Sequence, residues 1–144
     1  MYPNPQVTEF IEQHFIPVQF HIKAQPAMWH RFGVRWTPAI LVVGQDGREL
    51  YRLEGYLPAE PFLARLRLAL GYYAANRKDW KTAEREFESV VAEFPNSEVA
   101  PEAMYWAGVS RYSASRDSAE LKKLAQQFRT RYANTSWAKR ASVW

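Results

Sequence analysis

Few side chains in this sequence are of a type that does covalent or acid–base chemistry. Its histidines are His14, His21 and His30, and it contains no cysteine. An imidazole acts as general base or metal ligand when a carboxylate orients it or further ligands stand at suitable spacing. None of the three has such a neighbour in the sequence. Their helix and strand positions predict partial burial, so they read as structural residues, with no metal site. His21 and Lys23 fall near the end of a strand-like segment, where α/β sheets often place sites, but nothing converges on them. No Ser-His-Asp order, glycine-rich phosphate loop or HExxH pattern is present. Glu84, Glu86, Glu88 and Glu93 read as the solvated face of a helix. Without a thiolate these residues cannot exchange disulfides. The residues alone predict no catalytic activity and no cofactor.

The bulk properties fit a folded, water-facing chain. Its 144 residues are 47% hydrophobic and 24% charged, enough for one ordinary domain or two small ones. The apolar runs FIPV and PAILVVG are too short to span a bilayer. MYPNPQVTEF has neither a basic n-region nor an apolar h-region. The expectation is a cytoplasmic protein without a membrane segment; any export signal would have to lie upstream of residue 1. The formal charge is +4, with a basic concentration near the end: Lys122, Lys123, Arg129, Arg131, Lys139 and Arg140. A basic balance can favour acidic partners or nucleic acid. No zinc pattern, aromatic-basic sheet signature or arginine-rich run accompanies it, so these residues read as solvated helix faces and no nucleic-acid partner is expected.

The elements follow from pattern. Val7, Phe10, Ile11 and His14 share one helical face, with Asn4 as N-cap and Pro5 at N1. FIPVQFHI reads as a strand over 15–22, with Pro17 at its start or on an edge. QPAMWHRF reads as a short helix stopped by Gly33. PAILVVG and ELYRLEG are two strands around an Asp46-Gly47 turn, the strongest short-range hairpin signal. A helix follows from Pro58 to about Arg77, with Phe62, Leu63, Leu66, Leu70, Tyr73 and Ala74 as its apolar stripe. From Asp79 onward the pattern is helical. Asp79 caps a helix bearing Trp80, Ala83, Phe87, Val90 and Val91, another spans roughly Pro101 to Tyr112, and a third follows Asp117-Ser118. Phe94 to Tyr132 is a period of 38 residues, which fits a helix-turn-helix repeat.

The first half resembles a thioredoxin-like domain. Phe32-Gly33-Val34, Thr37-Pro38, Asp46-Gly47 and Gly55-Tyr56 stand where that family has its aromatic-Gly-Val motif, its X-Pro before a strand, its Asp-Gly hairpin and its Gly-Tyr pair. NPQVTEFIEQHFIPVQF resembles the helix and strand after the family's redox motif. In the family an inner strand leading into Cys-X-X-Cys precedes that helix, and it is absent here. Three explanations remain open: a sequence that starts late, direct pairing of 15–22 with 39–43, or an edge filled by another chain. The resemblance implies a cis peptide bond at Thr37–Pro38. It also implies an extended peptide bound at the Thr37 backbone beside Trp36.

The second half resembles tetratricopeptide repeats. Gly71, Ala83, Phe87 and Pro95 match the family's small, aromatic and terminal-proline positions. In a degenerate second unit Gly108 aligns, the return helix needs a shift and Ala133 replaces the proline. SWAKRASVW, 136–144, looks like the start of a capping helix. The resemblance implies a ligand face on the first helix of each repeat, here Arg65, Tyr72 and Asn76, then Tyr105 and Tyr112. The expected fold is therefore an incomplete α/β thioredoxin-like sheet of about three strands over 1–70. An all-α tetratricopeptide-like region over 58–144 shares the helix 58–77 with it. The expected role is a non-catalytic module that binds a protein or peptide, or assembles as a homodimer through sheet edges. The alternative is the C-terminal portion of a thiol–disulfide oxidoreductase whose redox motif lies upstream.

Overall fold

The structure, a computed structural model, describes residues 3–144 and divides into two compact units, 1–63 and 64–144. In the first unit, α1 (Pro5–His14) opens where expected. The Asn4 carboxamide oxygen accepts from the Gln6 and Val7 backbone N–H groups at 2.9 and 3.3 Å, satisfying donors that a helix start leaves orphaned. Val7 is fully buried. A short α2 (Pro26–Arg31) ends in Gly33, whose positive φ of 55° lets the Gly33 and Val34 N–H groups return to the His30 and Trp29 carbonyls.

The sheet consists of β1 (Ala39–Val43) and β2 (Glu49–Glu54), antiparallel, with Ile40 opposite Leu53 and Val42 opposite Tyr51. The register slips between Val42 and Val43. Gly47 (φ 78°) turns the hairpin, and the Asp46 carboxylate accepts from the Arg48 N–H at 3.0 Å.

The fold class is the expected one, a small, incomplete α/β sheet followed by a helical region. The strand count is corrected. Residues 15–22 form no strand, and the sheet has two strands among the described residues rather than about three. FIPVQFHI has the composition of a strand, but strand conformation is held by hydrogen bonds to a neighbour, and none of its residues pairs with β1 or β2. Its alternate apolar residues face solvent instead: Ile16 is 92% exposed and Val18 68%. The histidines are corrected too. His14, His21 and His30 are exposed, not partly buried.

The division between the units falls inside α3 (Ala59–Asn76). The second unit continues with α4 (Trp80–Glu93), α5 (Ala100–Ser115), α6 (Ala119–Thr130) and α7 (Ser136–Ala141). The Asp79 carboxylate caps α4 through the Thr82 N–H at 3.2 Å, and the Thr135 hydroxyl caps α7 through the Ala138 N–H at 3.2 Å. Lys78 and Arg116, both at φ 60°, end α3 and α5 in the left-handed conformation. Central helix α5 packs against α4, α6 and α7. It buries Ala100, Pro101, Ala103, Met104, Ala107, Gly108 and Ser110, which leaves one accessible strip. Met104, Leu124, Phe128 and Ala141 knit α5, α6 and α7 together.

Candidate functional site

The accessible strip of α5 carries Glu102, Tyr105, Trp106, Val109 and Tyr112, all half-buried. Steps of three and four residues put them on one helical face. Aromatic rings run across the neighbouring helices from this strip. The Tyr72 ring of α3 meets the Trp106 ring edge-on at 6.0 Å, and Trp106 meets Tyr105 at 5.4 Å. Tyr105 then meets Trp137 of α7 at 5.3 Å and stacks on Trp144 at 5.6 Å. The Arg140 guanidinium lies 4.3 Å over Trp137. Such edge and stacked pairs combine large contact area with few rotatable bonds, so the row is stiff.

Charged groups border the row. The Tyr72 hydroxyl donates to the Glu102 carboxylate, and Arg65 pairs with Glu98 at 2.6 Å. Behind α5 the glutamates of α4 are held by arginines from adjoining helices. Arg111 reaches Glu84 (3.4 Å), Glu88 (2.6 Å) and Glu120 (3.5 Å), while Arg67 reaches Glu86 and Glu93, each at 3.4 Å. The reading of Glu84, Glu86, Glu88 and Glu93 as a merely solvated face is thereby corrected: they are the anionic half of the helix-to-helix contacts.

In the first unit Trp36 is 68% exposed, and Thr37 and Pro38 are exposed beside it. The Thr37–Pro38 peptide bond is cis, and the Pro38 carbonyl accepts from the Gly55 N–H at 2.8 Å. Arg52 fastens the loop before them. Its guanidinium donates to Glu49 at 2.6 and 2.7 Å, to Glu54 at 3.1 Å and to the Phe32 carbonyl. These bonds to Arg52 hold the Glu49 carboxyl below the usual carboxylate range, against a smaller opposing effect of burial. They raise the Arg52 guanidinium in turn.

Comparison with known families matches residues 1–70 to the thioredoxin-like domain and residues 63–97 to the tetratricopeptide repeat. The chain carries a thioredoxin-like domain followed by a tetratricopeptide repeat. No curated protein and no solved structure matches it. The repeat match covers α3 and α4. The pair α5 and α6 lies beyond it yet repeats its packing, with Gly71 against Phe87 in the first pair and Gly108 against Leu124 in the second.

The helical unit brings together some of the residues singled out from sequence and spreads the others. Tyr72 and Tyr105 belong to the aromatic row, and Tyr105 also packs on the Met104–Leu124–Phe128–Ala141 cluster. Tyr112 sits two turns along the same face, half-buried, with no ring contact or side-chain hydrogen bond among the described residues. Arg65 is engaged by Glu98, and Asn76 is exposed at the end of α3. Trp36, Thr37 and Pro38 lie in the thioredoxin-like unit. Sequence reasoning missed Glu102, Trp106, Val109, Trp137 and Trp144. The spacing of Glu102, Trp106, Val109 and Tyr112 was a usable signal for the first three. The roles of Trp137 and Trp144 depend on how α7 docks, which no local pattern encodes.

Proposed function

We propose that this chain is a non-catalytic binding module whose tetratricopeptide unit holds a protein segment along the accessible strip of α5. Tetratricopeptide repeats generally mediate protein interactions. The observation that carries the reading to particular residues is the asymmetry of that strip. At one end its rings are locked to one another and to α7; at the other, Tyr112 is accessible and unengaged, with Val109 between them. A stiff aromatic floor beside an uncommitted tyrosine suits recognition of a peptide with an apolar anchor, because little side-chain entropy is lost on binding. Absence of cysteine agrees with a binding role, since no residue here supplies a thiolate. No helix among the described residues is long and apolar enough to cross a membrane.

The test is selection of peptides from a random library on the whole chain, followed by calorimetric titration of the recovered peptides. Tyr112→Ala and Val109→Asp should each weaken binding about tenfold or more, equivalent to about 1.4 kcal/mol, with the melting temperature of Tyr112→Ala held. Selected peptides whose affinity ignores both substitutions would remove this face from consideration. Insulin reduction by the chain should stay at background.

A further inference from the structure

We propose that the tetratricopeptide unit has a second binding face, on α6 and α7, that takes an acidic polypeptide segment with carboxylates about three residues apart. The proposal concerns the basic residues of α6 and α7 rather than Val109 and Tyr112 of α5, and its argument begins with how charge is partitioned. The first 120 residues hold 13 basic and 15 acidic residues, whereas the last 24 hold six basic and none acidic. Ion pairing is denser before that point, where at least six of the thirteen basic residues meet a carboxylate, against one of the six after it among the described residues. Arg65, Arg67 and Arg111 are each met by glutamates. After Glu120 only Lys123 has such a partner among the described residues, Glu120 itself at 3.1 Å. Lys122, Arg129, Arg131, Lys139 and Arg140 are exposed and form no ion pair among the described residues.

Helix stabilisation does not account for all of them. Arg129, Lys139 and Arg140 stand in last turns, where a cation is favourable. Lys122 is the fourth residue of α6, near the positive end of the helix dipole, where a cation is unfavourable. The dipole therefore gives Lys122 no stabilising role in the helix.

Two of the cations are already positioned. Arg140 lies over Trp137 at 4.3 Å and Arg131 over Tyr132 at 5.0 Å, while the Tyr132 hydroxyl is fixed on the Pro95 carbonyl at 2.6 Å. Holding a guanidinium against a ring reduces the entropy lost on pairing. Spacing supplies the partner's chemistry. Lys122 and Arg129 are seven residues apart, hence on one face and roughly 10.5 Å apart along the axis. An extended chain advances about 3.3 Å per residue, so carboxylates three residues apart match that interval. A polypeptide is favoured over nucleic acid because α5 and α6 repeat the packing of the matched tetratricopeptide pair, a kind of repeat that generally mediates protein interactions.

The experiment is anisotropy titration of the whole chain into a labelled peptide with Glu at every third position, against the same peptide with Gln. The Glu peptide should bind at low salt, lose affinity as salt rises, and outbind the Gln peptide by about tenfold or more. Lys122→Glu with Arg129→Glu should abolish that preference while the melting temperature holds; Tyr112→Ala should leave it intact, separating this face from the strip of α5. Equal binding of the Glu and Gln peptides, or indifference to the charge reversal, would overturn the proposal. So would tighter, charge-reversal-sensitive binding of duplex DNA or of phosphatidylserine vesicles than of the Glu peptide.

Discussion

Gly71 lies so close to the Phe87 ring that a Cβ built on it would stand 2.5 Å from the ring edge, and sixteen residues separate the two. Gly108 and Leu124 repeat the relationship at the same interval, the built Cβ standing 2.6 Å from a leucine methyl. The two helical pairs are thus one packing design used twice, although only the first matches the family model.

Alanine at either glycine sets helix propensity, a gain of about 1 kcal/mol, against overpacking, a cost of about 1–3 kcal/mol. A rigid ring cannot give way as a leucine methyl can. Gly71→Ala should therefore lower the melting temperature clearly and Gly108→Ala less, with Leu124→Ala partly rescuing the latter in a double-mutant cycle. Equal, negligible effects would mean that the helices stand farther apart in solution.

Arg111 gathers three carboxylates from α4 and α6 and is itself only partly exposed. Single surface pairs contribute about 0.2–1 kcal/mol, but one guanidinium shared by three glutamates forms a network, and removing it leaves them mutually repelling. Arg111→Gln should destabilise the chain by about 1 kcal/mol in chemical denaturation, and by less at high salt. A salt-independent loss would assign the effect to the packing of the arginine's aliphatic stem.

Local chemistry was legible in the sequence wherever a few neighbouring residues decide the backbone. Asn4 with Pro5, Asp46 with Gly47, Gly33 and Asp79 each announce a cap or a turn, and each stands where that signal places it. What could not be read depends on a partner. FIPVQFHI carries strand propensity, but no residue within it says whether an edge is there to pair with. Trp106, Trp137 and Trp144 likewise carry no local mark of their common row, because helix docking brings them together. Glu84 and Glu88 looked like solvated carboxylates for the same reason: Arg111 lies on the next helix.

Glu49 gives a pH prediction. Its carboxyl is held below the usual range mainly by the hydrogen bonds from Arg52, so the folded form binds its proton less readily than the unfolded chain does. The sign follows: this stabilisation is fully present above the ordinary glutamate range, and it is lost as pH falls through the lowered folded value. Glu49 should titrate by NMR below an unperturbed glutamate. Arg52→Met should return it to the ordinary range and slacken the acid dependence of stability. A Glu49 that titrates normally in the native chain would show that the pair is broken in water.

The exposed segment 15–22 allows a direct contrast with the core of the same unit. Ile16 and Val18 are 92% and 68% exposed, whereas Val7 is fully buried. Burying a methylene-sized group contributes about 0.8 kcal/mol, so Val7→Ala, which removes two methyls, should cost about 2 kcal/mol. Ile16→Ser removes more apolar surface and Val18→Ser as many methyls, but both uncover nothing, and each should change stability by less than about 0.5 kcal/mol. They should also slow aggregation, because an unpaired row of alternating apolar residues is a template for strand pairing. Melting temperatures and light scattering on the three variants decide the matter. If Ile16→Ser destabilises the chain as much as Val7→Ala, the segment is covered in solution, and the strand propensity of FIPVQFHI has found an edge after all.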